Sequence, residues 1–155
     1  MTRWLSDEEQ RSWRAFGLAT RLLSDRLERE LQDAAGMPPT YYELLVNLSE
    51  APGRTMRMSE LARQTHSKAS RITHAINKLE QAGWVRREHH AADRRGWLAV
   101  LTDDGLAALE EAAPRHVQSV RHNLIDVLTP EQVTQLGDIS EALLGHLAAD
   151  DHQRG

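Results

Sequence analysis

The stretch Ser67-Lys68-Ala69-Ser70-Arg71-Ile72-Thr73-His74, running on to Leu79-Glu80-Gln81-Ala82-Gly83-Trp84-Val85, decides how the rest of this chain is read. Ala69, Ile72, Ile76 and Leu79 recur at helical spacing, Ser67 is placed to cap the start, and Gly83 supplies a stop, so a helix is predicted over 67–82. Its opposite face presents Ser67, Ser70, Arg71, His74 and Lys78, with Lys68 and Thr73 beside them. Just upstream, Ser59 can cap a brief helix whose Leu61, Ala62 and Thr65 share one side, and a tight connection falls near His66. The pair is a helix-turn-helix. Downstream, residues 84–89 and 97–102 have strand character and bracket the polar tip His90-Ala91-Ala92-Asp93-Arg94-Arg95-Gly96, so a β-hairpin follows as a wing.

Charge separates this middle from its flanks. Residues 54–95 hold ten Arg or Lys against four acids, net +6, whereas the rest of the chain holds nine basic and nineteen acidic residues, net -10. A basic centre on an acidic scaffold is the footprint of a nucleic-acid face; the plainer alternative is a cluster of solvated arginines. On the helix over 67–82, Arg71 can donate two bonds to guanine, Ser70 and Thr73 suit phosphate or thymine-methyl contacts, and the helix start itself attracts phosphate. Arg94 and Arg95 sit at the end of a thin projection shaped for a minor groove, with Asp93 placed to hold it; any hairpin also favours Asp and Gly near its turn.

Working outward, Ser6-x-x-Glu9 is a capping box ahead of Trp13, Phe16, Leu23, Leu27, Leu31 and Ala34, which predicts one long amphipathic helix over 6–36. After Pro38-Pro39, Thr40-x-x-Glu43 opens a second helix that buries Leu44, Leu45 and Leu48 and ends before Pro52-Gly53. Residues 56–58 form a short extended piece. On the far side, Thr102-Asp103-Asp104 starts a helix that Pro114 should bend, and Thr129-Pro130-Glu131-Gln132 starts another whose Val133, Leu136, Ile139, Leu143 and Leu147 are expected inward. From Asp150 a loose tail is expected. The whole is predicted as one mainly α domain over 1–155, with a winged helix-turn-helix over 54–102. Helices over 6–36 and 103–149 carry more apolar stripe than the reading head can cover, so a second copy is their simplest partner.

Three motifs in order make the resemblance specific. Met58-Ser59-Glu60-Leu61-Ala62, then Ser67 to His74 leading to Leu79-Glu80-x-Ala82-Gly83-Trp84-Val85, then Asp93-Arg94-Arg95-Gly96-Trp97-Leu98-Ala99-Val100-Leu101-Thr102 resemble the reading helices and wing of the MarR family, over about residues 4–147. The resemblance implies a homodimer on a pseudo-palindromic double-stranded operator, with the recognition helix in the major groove. It makes Arg95 the wing arginine and Asp93 its supporting acid. It also implies a repressor of a nearby operon, released when a small phenolic or anionic effector binds between the terminal helices and the reading head. A ligand-independent activator and a winged-helix interaction module without specific DNA binding are the alternatives.

Other chemistry finds little support. With no cysteine there is no thiol nucleophile, disulfide or redox switch, and no Gly-rich phosphate loop, His-Glu-x-x-His or Gly-x-Ser-x-Gly occurs, so no enzyme is expected. His89-His90 with Asp93 is the one histidine cluster, and it lies in the hairpin rather than at metal-ligand spacing, so neither metal nor cofactor is expected. Trp13, Phe16, Tyr41 and Tyr42 have two open readings: core and interface aromatics, or the lining of a ligand cleft with Arg14 or Arg21 as counter-charge. The acidic start and the absence of a long apolar run predict no leader or membrane span, and a cytoplasmic protein.

Overall fold

The computed structural model describes residues 1–153, with the side chains of Arg94 and of residues 150–153 outside that description. Six α-helices and three strands follow in the order α1 (Asp7–Ala35), α2 (Pro39–Glu50), β1 (Thr55–Arg57), α3 (Met58–Gln64), α4 (Ala69–Gln81), β2 (Val85–His90), β3 (Asp93–Leu101), α5 (Asp103–Asn123) and α6 (Pro130–Gln153). The antiparallel sheet is ordered β1-β3-β2, so the extended piece after the Pro52-Gly53 turn is the third strand of the wing sheet.

Capping explains which boundaries were legible. Ser6 and Glu9 form the reciprocal box, with Glu9 N–H donating to Ser6 Oγ at 3.2 Å and Ser6 N–H to Glu9 Oε2 at 2.7 Å. Thr129 and Gln132 repeat it ahead of α6 at 2.9 and 3.2 Å. Three expected caps are corrected. Thr40 lies inside α2, which starts at Pro39 because proline fills the first helical position without wasting an N–H. Ser59 lies inside α3, whose flanking residue is Arg57, and Lys68 rather than Ser67 precedes α4. The link between those two helices turns at His66, held at φ 49°. α5 passes through Pro114 without interruption, and α6 continues through Gln153 where a loose tail was expected.

The core sits under the reading head. Leu44, Leu45 and Leu48 of α2, Leu61 of α3, Ile72, Ile76 and Leu79 of α4, and Val85, Ala99 and Leu101 of the sheet are all buried. On α4 the inward set is Ile72, Ala75, Ile76 and Leu79; Ala69, expected in that stripe, is exposed. α1 packs along α5, where Ser119 Oγ donates to Glu30 Oε2 and Asn123 Nδ2 donates to the same oxygen at 3.1 Å. The largest departure lies at the ends of the chain. Ile139, Leu143 and Leu147 of α6, expected inward, are exposed, as are Trp13 and Phe16 of α1, and α6 touches the remainder of its own chain only slightly.

Candidate nucleic-acid interface

α4 carries its polar face outward because its core face is fully committed. Lys68, Ser70, Arg71, Thr73, His74 and Lys78 are all exposed, whereas Ser67 is half-buried and its hydroxyl donates to the Thr65 carbonyl at 3.3 Å. Thr73 Oγ1 donates back to Ala69 O at 3.0 Å, which leaves its oxygen lone pairs outward.

The hairpin is tighter than the sequence suggested. β2 runs to His90 and β3 begins at Asp93, so only Ala91 and Ala92 lie at the tip, with a register irregularity between His89 and His90. Asp93 Oδ1 accepts the N–H of Arg95 at 3.0 Å, a side-chain turn that sets the path of the chain out of the tip. Asp93 and Arg95 are exposed; the Arg94 side chain lies outside the described residues. A cavity of about 320 Å³ separates wing from recognition helix, with Ala69, Ile72 and Thr73 on one wall and Asp93, Arg95 and Trp97 on the other.

The ion pairs sort the basic residues of this segment into two groups. Arg54 pairs with Asp103 at 3.0 Å, Arg63 with Glu60 at 2.6 Å, Arg86 with Glu88 at 2.8 Å and Arg87 with Glu80 at 3.2 Å. The bidentate Arg63 bonds hold the Glu60 carboxyl below its ordinary value, and Gln64 adds to them. Glu60, Glu80, Glu88 and Asp93 are thus all engaged within the head. Lys68, Arg71, Lys78 and Arg95 make no ion pair among the described residues, and they lie on the outer face of α4 and at the wing tip. Arg57 likewise makes no ion pair and meets His90 instead, so outside β1 the unpaired basic residues described in this segment are those on α4 and at the wing tip.

Two features escaped the sequence reading. Glu80 accepts both the backbone N–H of Arg87 at 3.1 Å and its guanidinium, tying the end of α4 to β2. Arg57, at the end of β1, reaches His90 Nε2 at 3.0 Å. The first has a weak sequence signal, opposite charges across a predicted helix–strand turn; the second, 33 residues apart, has none.

The proposed ligand aromatics are not brought together. Tyr41 and Tyr42 are half-buried against the core, and the Tyr42 ring packs against His116 of α5, tilted by 47° with ring centres 4.5 Å apart. Ser24, Leu27 and Glu28 are the α1 residues that share a cavity of about 380 Å³ with Pro38, Pro39, Thr40 and His116. Phe16 lies eight residues before Ser24, about 12 Å along the helix, and Trp13 lies further still. Among the described residues no group of three His, Cys, Asp or Glu is arranged to hold a metal ion, and no helix is long and apolar enough to cross a membrane.

A helix-turn-helix with its second helix outward, followed by a basic two-stranded projection, defines a winged helix-turn-helix protein. The model of the MarR family matches residues 35–96. Sco3205, a MarR family transcriptional regulator from Streptomyces coelicolor solved in complex with DNA, is 48% identical, with a TM-score of 0.92 over 95% of this chain and 92% of that one. AbsC, a MarR family regulator from the same organism, is 47% identical, with a TM-score of 0.91 over 96% and 99% of the two chains. The transcriptional repressor YetL of Bacillus subtilis is 31% identical over 111 residues, 70% of this chain and just under two thirds (66%) of the repressor. The chain belongs to the MarR family of transcriptional regulators.

Proposed function

We propose that this protein is a homodimeric, sequence-specific repressor that reads a pseudo-palindromic operator with α4 in the major groove and Arg95 of the wing in the minor groove. The observation that carries the reading is the sorting of charge: Glu60, Glu80 and Glu88 are held in ion pairs within the head and Asp93 accepts the Arg95 N–H, while Lys68, Arg71 and Lys78 on α4 and Arg95 on the wing are exposed and make no ion pair among the described residues. Arg71 has the length and fork geometry to read a guanine, and Lys68 and Lys78 are placed for phosphates. In this reading residues 54–102 are the reading head. The segments 6–36 and 103–149 form the dimer, covering the exposed stripe of Ile139, Leu143 and Leu147. A two-fold dimer sets half-sites roughly 10 bp apart or a multiple of it.

The effector belongs to the cavity between α1, α2 and α5, where a bound molecule would press on both the dimer helices and the helix that enters the head. Leu27, Pro38 and Pro39 supply an apolar wall there, and Tyr42 stands behind His116. The assignment is to the cytoplasm, where the operator lies.

Selection from a pool of randomised duplexes tests the whole reading. The expected product is an inverted repeat with half-sites one helical turn, or a whole multiple of it, apart. Enrichment of no sequence, or of a single unrepeated site, would contradict the dimeric operator reading.

A further inference from the structure

Two side-chain contacts brace the wing. On the side of the sheet facing α4, the His89 ring lies against Trp97 at 3.8 Å between centres, with the Arg87 guanidinium 5.9 Å from the Trp97 ring centre. Arg57, which lines the cavity between wing and α4 together with Asp93, Arg95 and Trp97, places its Nη2 3.0 Å from His90 Nε2. The register places Arg57 opposite Leu98 and His90 opposite Asp93, so the guanidinium reaches from the outer strand β1 along the sheet to the tip of the hairpin.

His90 is asked to do two things at once. Its Nδ1 faces the N–H of Ala92 at 3.2 Å while its Nε2 faces the guanidinium, so both ring nitrogens meet donors. A neutral imidazole has one lone pair to offer, so only one of these bonds forms at a time. The guanidinium is charged and makes the stronger of the two, which favours the tautomer with its proton on Nδ1 and its Nε2 lone pair on Arg57. Asp93, the register partner of His90, is already engaged by the Arg95 N–H, so the tip keeps its turn when Ala92 is left aside.

We propose that His90 and Arg57 are positioning residues for the wing. The His90 ring ties the hairpin tip to β1 and so fixes the direction in which Arg95 projects toward DNA. This rests on the DNA-binding reading above. It assigns His90 no contact with DNA; its effect passes through Arg95. Without the brace the hairpin pivots about its base at Val85 and Leu101, and Arg95 loses part of its order before binding.

The test is a double-mutant cycle on a selected operator duplex, read by anisotropy at several salt concentrations. His90→Ala should weaken binding about fivefold to tenfold and lower the salt slope, and His90→Ala with Arg95→Ala should bind no worse than Arg95→Ala alone. His90→Gln, whose amide oxygen falls near the Nε2 position, should restore affinity. His90→Asn, which can accept only from the Ala92 N–H, should not. A merely structural histidine would not separate Gln from Asn. If His90→Ala binds as wild type, or if its loss adds in full to that of Arg95→Ala, the brace is overturned while DNA binding stands. If wild type prefers no duplex at all, the DNA-binding reading itself fails and the role of the brace with it.

Discussion

The hydroxyl of Thr102 donates to the Gly83 carbonyl at 2.7 Å and accepts the N–H of Gly105 at 3.0 Å, so one side chain caps α5 and pins the turn that leaves α4. The same corner is closed by the Thr102 N–H on Trp84 O at 3.0 Å. There is no room for a side chain beneath it: a Cβ on Gly105 would lie 2.1 Å from Trp84 O and 2.7 Å from Leu101 Cδ1. Gly105→Ala should therefore cost about 1–3 kcal/mol or more in urea unfolding, because the obstructing atom is backbone. Gly17→Ala, in open space on α1, should be neutral or stabilise by up to about 1 kcal/mol.

Glu30 is the shared acceptor for Ser119 and Asn123 where α1 meets α5. Glu30→Ala leaves the buried Ser119 hydroxyl without its acceptor, while Asn123 Nδ2 keeps the Ser119 carbonyl at 2.9 Å, and should destabilise by about 1–3 kcal/mol. Glu30→Gln keeps one acceptor oxygen and should recover much of that loss. Equal destabilisation by both, measured by urea unfolding, would show that the charge rather than the hydrogen bonding matters there.

Burial holds the imidazole of His116 below its ordinary value of 6.5. The unfolded chain then binds a proton more readily than the folded one, so this group's contribution to stability is complete above about pH 6.5 and is lost as pH falls below it. Thermal unfolding between pH 7.5 and 5 should show a slope that His116→Gln reduces. An unchanged slope in that variant would assign the effect to another histidine.

Ile139, Leu143 and Leu147 lie exposed along α6. Leu143→Glu, together with Leu147→Glu, should leave a folded protein that sediments as a monomer at micromolar concentration while wild type sediments as a dimer. A variant that remains dimeric would move the interface off this face.

Much of this architecture could be read from local rules, and the residues show why. Ser6, Thr102 and Thr129 cap as expected because the partners sit three residues away in sequence. Thr40, Ser59 and Ser67 carry the same kind of side chain but do not cap, because Pro39 starts α2 early and the short turn through His66 leaves Ser67 facing Thr65. Periodicity found the stripe on α6 but could not say whether one chain or two would cover it, so residues expected inward are exposed in the single chain. At the interface, the exposed positions of α4 and the wing were legible from charge and pattern. The selection among basic residues was legible only in part: Glu60 and Arg63 lie three apart on a predicted helix and Arg86 and Glu88 two apart on a predicted strand, whereas the Glu80–Arg87 pair depends on how the helix meets the strand. Arg57 and His90 meet only because β1 joins the sheet, a pairing with no local signature.

Arg71 and Arg95 should fail in different ways. Arg71→Ala should cost about 1–3 kcal/mol and relax base choice at one position of each half-site. Arg95→Ala should weaken binding across sequences and reduce the salt slope by about 1 for each wing. If both variants bind as wild type, these roles are wrong.

The most direct test is fluorescence anisotropy of the wild-type protein with duplex DNA from upstream of its own gene, against an unrelated duplex, at near-physiological salt. The expected result is a preference of about 1000-fold or more for the upstream DNA. Equal, weak binding to that duplex, to the unrelated one and to the best products of selection would contradict a sequence-specific regulator.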